Sequence, residues 1–243
     1  MALTHIEDCV VENGQIDLYT KVLELTKGPA RLVLPLTLDI ASYLQKEGLQ
    51  DQYILFGGYA VLSHLMSVRG EEMAANWRGS EDIDMAGTEQ VVRAIKSGYR
   101  VTSDRPSPNL QDKRTIKLSV EQTTGIEEEC KVDFYTGHFE DKFFPPETNT
   151  HFGCELRVSN PLSLIKSKLY TPNREVVHSE DITRLLSVLE HRDYSPEQIS
   201  RFFRSPDKVQ LLERFKTGYE AICSSGLIMD LVPSEGFKKS LDR

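Results

Sequence analysis

The sequence lacks any apolar run long enough to cross a bilayer. The longest, around Leu32 to Leu38, is broken by Pro35 and Asp39, whereas a spanning helix needs about 20 apolar residues. It also lacks a basic-then-apolar opening: His5, Glu7 and Asp8 stand among the first residues, so no secretory signal and a cytoplasmic location are expected. Cysteine is sparse. Cys9, Cys130, Cys154 and Cys223 are dispersed with no C-x-x-C pair, which excludes a zinc ribbon and fits reduced thiols. The six histidines form neither H-E-x-x-H nor H-x-x-x-H, so histidine-based metal chemistry has no support. Positive charge is in deficit, with 29 Lys and Arg against 37 Asp and Glu, net −8. A generally basic nucleic-acid binder is thereby excluded. There is no internal repeat and no low-complexity run.

What is present is an ordinary globular mixture of 243 residues, 39% hydrophobic and 27% charged, long enough to bury a sizeable core. The charge is unevenly placed. Residues 1–155 carry 15 Lys and Arg against 25 Asp and Glu, net −10, while residues 156–243 carry 14 against 12, net +2.

Apolar residues at three-and-four spacing predict helices over Asp17 to Thr26 and Ala30 to Glu47, the second capped at Gly48. Gln52 to Phe56 reads as a strand stopped by Gly57-Gly58, after which Tyr59 to Val68 turns helical. Ile83 to Ala86, Thr115 to Glu121, Glu129 to Tyr135 and Cys154 to Val158 read as further strands. The segment Ser103 to Asp112, rich in Pro, Ser and Asn, reads as a loop. Beyond Asn160-Pro161 the pattern is helical over Leu162 to Tyr170, Ser179 to Glu190, Pro196 to Phe203 and Lys208 to Ile222. Ser179 and Ser195 are candidate N-caps there, and Ser205-Pro206 marks a break. The tail from Pro233 has weak periodicity. Two domains are expected, 1–159 with the chemistry and 160–243 helical.

Three acids stand out. Asp82 and Asp84 alternate on a short strand, so they share a face, and Asp133 lies on the face of its own strand opposite Cys130, Val132 and Phe134. Carboxylates packed together repel unless a cation lies between them. Hard oxygen donors select Mg²⁺ or Mn²⁺, which suits nucleotidyl transfer. Gly57 and Gly58, after a strand and opening a helix, let backbone amides approach a phosphate. Ser80 adds a hydroxyl donor, and Arg78 could hold a phosphate oxygen through its guanidinium fork or pair with Glu81 or Asp82. A GG turn or a D-x-D pair alone more often marks a surface turn; their order along the chain is what carries weight. Trp77, the single tryptophan, reads as packing.

Through Phe56-Gly57-Gly58-Tyr59-Ala60 and Gly79-Ser80-Glu81-Asp82-Ile83-Asp84-Met85 the chain resembles the nucleotidyltransferase superfamily. Within it, the resemblance is to the AbiEii/AbiGii-type toxin nucleotidyltransferases. The likeness spans about residues 50 to 190, with specific motifs only in those two blocks. It implies an α+β fold of the DNA polymerase β-like kind, a mixed β-sheet flanked by helices with a helical C-terminal part. It implies that Asp82, Asp84 and Asp133 bind metal and that Asp133 helps to activate the acceptor hydroxyl. Asn160 to Leu169 looks like the family helix whose lysine meets the triphosphate, best matched by Lys168, with Lys166 as the competitor. Arg174 and Asp181 fit the pattern that follows, but Glu180 stands where a basic residue is usual and Arg184 where a second acid is. Asp181 is equally readable as an N-terminal helix acid.

The implied activity is transfer of a nucleoside monophosphate from an NTP to an acceptor hydroxyl on RNA, such as a tRNA end, or on protein. The chain would then be the toxin of a toxin-antitoxin pair, with an antitoxin protein as partner. Two rivals stand beside it: transfer to an aminoglycoside-like small molecule, which the acidic first part would attract, and a nucleotide-binding or partner-binding protein without turnover.

Overall fold

The chain's structure, a computed structural model, describes residues 30–77, 79–121, 127–137, 145–171, 175–224 and 232–241. The helix expected over Asp17 to Thr26 lies outside them. Two compact units divide the chain, Met1–Ser159 and Asn160–Arg243.

The described part of the first unit is built on a seven-stranded mixed sheet. Its strands are β1 (Tyr53–Phe56), β2 (Asp82–Gly87), β3 (Val101–Pro106), β4 (Lys113–Glu121), β5 (Glu127–Thr136), β6 (Glu147–His151) and β7 (Cys154–Val158), in the order β3-β4-β5-β2-β1-β7-β6. The β2/β5 and β1/β7 pairs are parallel and the others antiparallel. Alternation sets the two faces. Ile116, Leu118 and Val120 on β4 and Cys130, Val132 and Phe134 on β5 are buried. Lys131, Asp133 and Tyr135, of opposite parity, share the other face.

Among the described residues this unit has three α-helices, α1 (Ala30–Lys46), α2 (Gly57–Arg69) and α3 (Glu89–Gly98). α1 buries Leu34, Leu36, Ile40 and Leu44 and touches β2, β7 and α3. Its Pro35 falls in the second turn, where the missing N–H removes one intrahelical bond. α2 is buried continuously from Gly58 to Met66, and its two buried polar side chains are hydrogen-bonded, Ser63 to His151 and His64 to the Ser159 carbonyl, as burial of polar groups requires. Thr88 caps α3, its hydroxyl accepting from the Val91 amide, with Glu89 in the first turn and Lys96 in the last as the helix dipole favours.

Two strands escape a pattern reading. Val101–Pro106 is an edge strand paired with β4, and only the tip beyond it, closed by Ser107 N to Lys113 O at 2.7 Å, is a turn. The expected loop therefore begins later. Pro106 is harmless because an edge position leaves the N–H side unpaired. β6 reads Glu-Thr-Asn-Thr-His, polar throughout, yet Asn149 and His151 point inward. Phe152 and Gly153, both at positive φ, join β6 to β7 as a two-residue hairpin turn.

The second unit contains α4 (Pro161–Tyr170), α5 (Glu175–His191), α6 (Pro196–Ser200), α7 (Ser205–Ser224) and α8 (Glu235–Leu241). Asn160 caps α4 by accepting from the Leu162 amide at 2.9 Å, and Ser195 forms a reciprocal capping box with Gln198, as its position predicts. Ser179 does not cap α5. That helix opens at Glu175, and the Ser179 hydroxyl donates back to the Glu175 carbonyl at 2.7 Å, the alternative bond open to a mid-helix serine. Ser205-Pro206 stands at the break between α6 and α7, where one was expected, and opens α7; the tail forms α8 behind Ser234, which accepts from the Phe237 amide.

Candidate active site

The sheet register assembles the carboxylates. Asp84, on β2, is the Cα partner of Phe56 on β1 and of Asp133 on β5, and Thr115 on β4 stands beyond Asp133. Asp82, two residues before Asp84, pairs with Lys131. As a result Asp82, Asp84 and Asp133 each offer an oxygen within 4.8 Å of the others. Asp133 is buried and the other two are half-buried.

The glycine turn presses on this cluster. Gly57 has φ 69°, and a Cβ built on it would stand 1.9 Å from Asp84 Oδ2, so no other residue fits without displacing the carboxylate. Gly58 follows in the first turn of α2 and is buried. The loop before β2 is fixed from both sides. Gly79 has φ 84°, the Tyr59 hydroxyl donates to the Ser80 carbonyl at 3.3 Å, and the Ser80 hydroxyl donates to Asp82 Oδ1 at 3.3 Å. Trp77 is buried, in agreement with packing. Arg78 lies outside the described residues.

Two lysines that motif reading passed over complete the cluster. Lys131 Nζ donates to Asp82 Oδ2 at 3.2 Å and to Asp133 Oδ2 at 2.8 Å, and Lys113 Nζ lies 2.8 Å from Asp133 Oδ2. The Thr115 hydroxyl donates to Asp133 Oδ1 at 2.8 Å. Burial pushes the Asp133 carboxyl up, but hydrogen bonds from Lys113, Lys131 and Thr115 outweigh it and hold the group below the usual carboxylate range. For Lys113 and Lys131 burial pulls down, and the bonds to Asp133 more than reverse it. Lys131 had a signal in the sequence, since it shares strand parity with Asp133. Lys113 and Thr115 had none, because their place depends on the β4/β5 register.

Cys130, on the buried face behind Asp82, has its thiol pushed up to about 12, by burial first and then by Asp82. Burial of this kind disfavours the thiolate form on which cysteine reactivity depends.

In the second unit Lys168 and Asp181 meet. Lys168 Nζ donates to Asp181 Oδ2 at 2.7 Å, with both side chains buried and Lys166 exposed. Asp181 lies well inside α5, not at its first turn, so helix-end stabilisation does not explain it. Arg184 shares the cluster, 3.6 Å from Asp181 and 3.0 Å from Glu180. The departures from the family pattern at Glu180 and Arg184 thus form an ion pair of their own. Arg174 lies outside the described residues.

The donor set in the first unit fits a hard divalent cation: three carboxylates, no soft ligand, and oxygens close enough for shared coordination. No described helix is long and apolar enough to cross a membrane.

No protein-family model matches the chain, and no curated protein sequence does. Solved structures do. One is an antigenic nucleotidyltransferase-like protein from Paracoccidioides brasiliensis, similar over 83% of this chain and 95% of that one, with a TM-score of 0.50 and 13% identity. Another is the Megavirus polyadenylate synthase, with a TM-score of 0.32, 10% identity, 81% of this chain and 37% of that one. The first likeness identifies the fold: an α+β nucleotidyltransferase-like architecture.

Proposed function

We propose that this chain is a metal-dependent nucleotidyltransferase that moves a nucleoside monophosphate from an NTP to an acceptor hydroxyl. The observation that carries the reading is the convergence of Asp82, Asp84 and Asp133 on a nucleotidyltransferase-like sheet, with Gly57 pressed against Asp84. Asp82, Asp84 and Asp133 would hold Mg²⁺ or Mn²⁺, which supplies charge neutralisation and activation of an attacking oxygen in such transfers. Gly57 and Gly58 lead into the N-terminus of α2, where backbone amides suit a phosphate. Ser80 orients Asp82. With its donors from Lys113, Lys131 and Thr115, Asp133 is a weak proton acceptor, so we assign it to holding and orienting instead of to strong general-base work.

For the acceptor we favour an RNA end, with protein hydroxyls second, and the chain as the toxin of a toxin-antitoxin pair. The cations Lys113 and Lys131 around Asp133 support a phosphate-bearing acceptor over a polycationic aminoglycoside, which they would repel. The test is incubation with each labelled NTP, Mg²⁺ or Mn²⁺, and total RNA, total protein or aminoglycosides, read by mass spectrometry. We expect a nucleotide mass on RNA that disappears with chelator and falls by ~10²–10³-fold in Asp84→Asn, the scale of losing a group that acts on developing charge. Label on no acceptor, or equal label with Asp84→Asn, would sink the enzyme reading. Label on aminoglycosides alone would replace the RNA assignment.

A further inference from the structure

One lysine bridges the carboxylate cluster. Lys131 Nζ binds Asp82 Oδ2 and Asp133 Oδ2 together, at 3.2 and 2.8 Å, while Lys113 reaches only Asp133. The two side chains are anchored differently. Lys113 is 22% exposed and also lies over the Tyr135 ring, 5.1 Å from its centroid. Lys131 is 41% exposed, so its long stem has solvent to move through. The strand register sets Lys117 across from Lys131. Lys117 is itself paired with Glu129 at 2.8 Å, so it does not hold Lys131 in place.

A magnesium-class ion sits about 2.0–2.1 Å from carboxylate oxygens, and an ammonium about 2.8 Å from the same atoms. An ion held by Asp82 and Asp133 would take up the space between their carboxylates, which the ammonium now fills, and the two positive charges repel at such range. Both cannot occupy the bridge. A bare ion therefore has to displace an ammonium that gains nothing in exchange, whereas an ion arriving on a triphosphate brings anionic oxygens to receive it.

Resting on the metal-dependent reading above, we propose that Lys131 is an exchangeable counter-ion of the site. It competes with a bare divalent cation for the Asp82–Asp133 bridge and transfers to a phosphate oxygen of the metal-bound triphosphate, so the site discriminates in favour of metal carried by nucleotide. Lys131 is thus a positioning residue in the carboxylate cluster and a contact for the triphosphate.

The test is a binding measurement, independent of turnover. Free Mn²⁺ is followed by electron paramagnetic resonance on the full chain, alone and with a non-hydrolysable ATP analogue, for wild type, Lys131→Met and Lys131→Arg, each checked for folding by circular dichroism. In Lys131→Met we expect bare Mn²⁺ to bind about tenfold tighter and the analogue, at saturating Mn²⁺, several-fold weaker. Lys131→Arg should stay close to wild type for bare Mn²⁺. Unchanged or weaker Mn²⁺ binding in folded Lys131→Met overturns the proposal, and so does tighter Mn²⁺ with unchanged analogue affinity. Lys131→Gln serves the same comparison if the methionine variant does not fold. Asp82→Asn separates the two levels: Mn²⁺ binding that ignores Asp82→Asn defeats the metal reading itself, whereas binding that requires Asp82 and ignores Lys131 defeats only the exchange.

Discussion

A methyl group at Gly57 would enter the space of Asp84 Oδ2 and would also sit on a backbone at φ 69°. Gly57→Ala should therefore leave the sheet intact while turning the Asp84 carboxylate. Displacing a reacting group by about 1 Å can cost on the order of 10²-fold in rate, so transfer should fall by roughly that factor with circular dichroism unchanged. Undiminished levels of the proposed transfer in Gly57→Ala would show that Asp84 does not need its present orientation. At this scale the sequence was informative wherever the signal was local. Gly57, Ser80, Asp82 and Asp84 announce themselves through adjacency and period-two spacing. Lys113 and Thr115 do not, because what brings them to Asp133 is antiparallel pairing across a hairpin, and register is a property of two segments.

Helix packing in the second unit turns on a close approach. A Cβ at Gly218 of α7 would stand 2.1 Å from the Ser179 carbonyl oxygen of α5, beside the Thr183 hydroxyl that donates to the Phe215 carbonyl at 3.3 Å. Gly218→Ala should push the helices apart and destabilise by about 1–3 kcal/mol, the usual range for overpacking. A urea midpoint unchanged from wild type would contradict this contact. Strands with apolar alternation, β4, β5 and β7, were legible, and so were the helices with an apolar stripe. β6 was not, since its inward residues Asn149 and His151 are polar and bonded to Ser63, at 3.0 Å and 2.9 Å. β3 was hidden by Pro106 and the turn residues behind it, which read as a loop until an edge partner is known.

Over the whole molecule, the stability of both units should respond to mild acid. Burial holds the His151 ring below the ordinary histidine value of 6.5, and burial, then Lys168, does the same for His178. The unfolded chain protonates first as pH falls through about 6.5, so it binds more protons than the folded one and stability declines from there downward. The urea midpoint should be lower at pH 5.5 than at pH 7.5, with a smaller drop in His151→Gln; equal midpoints would contradict it. The fold class was legible because the strand-glycine-helix and D-x-D blocks lie on sheet neighbours, but strand order was not. β1 takes β2 on one side and β7 on the other, joining Leu55 to Val158. On a translating ribosome β1 waits for its second partner until β7 has left the exit tunnel. Until then the nascent chain presents a raw strand edge beside a completed Asp82–Asp84–Asp133 face, a stage at which chaperone capture or strand exchange would compete with closure.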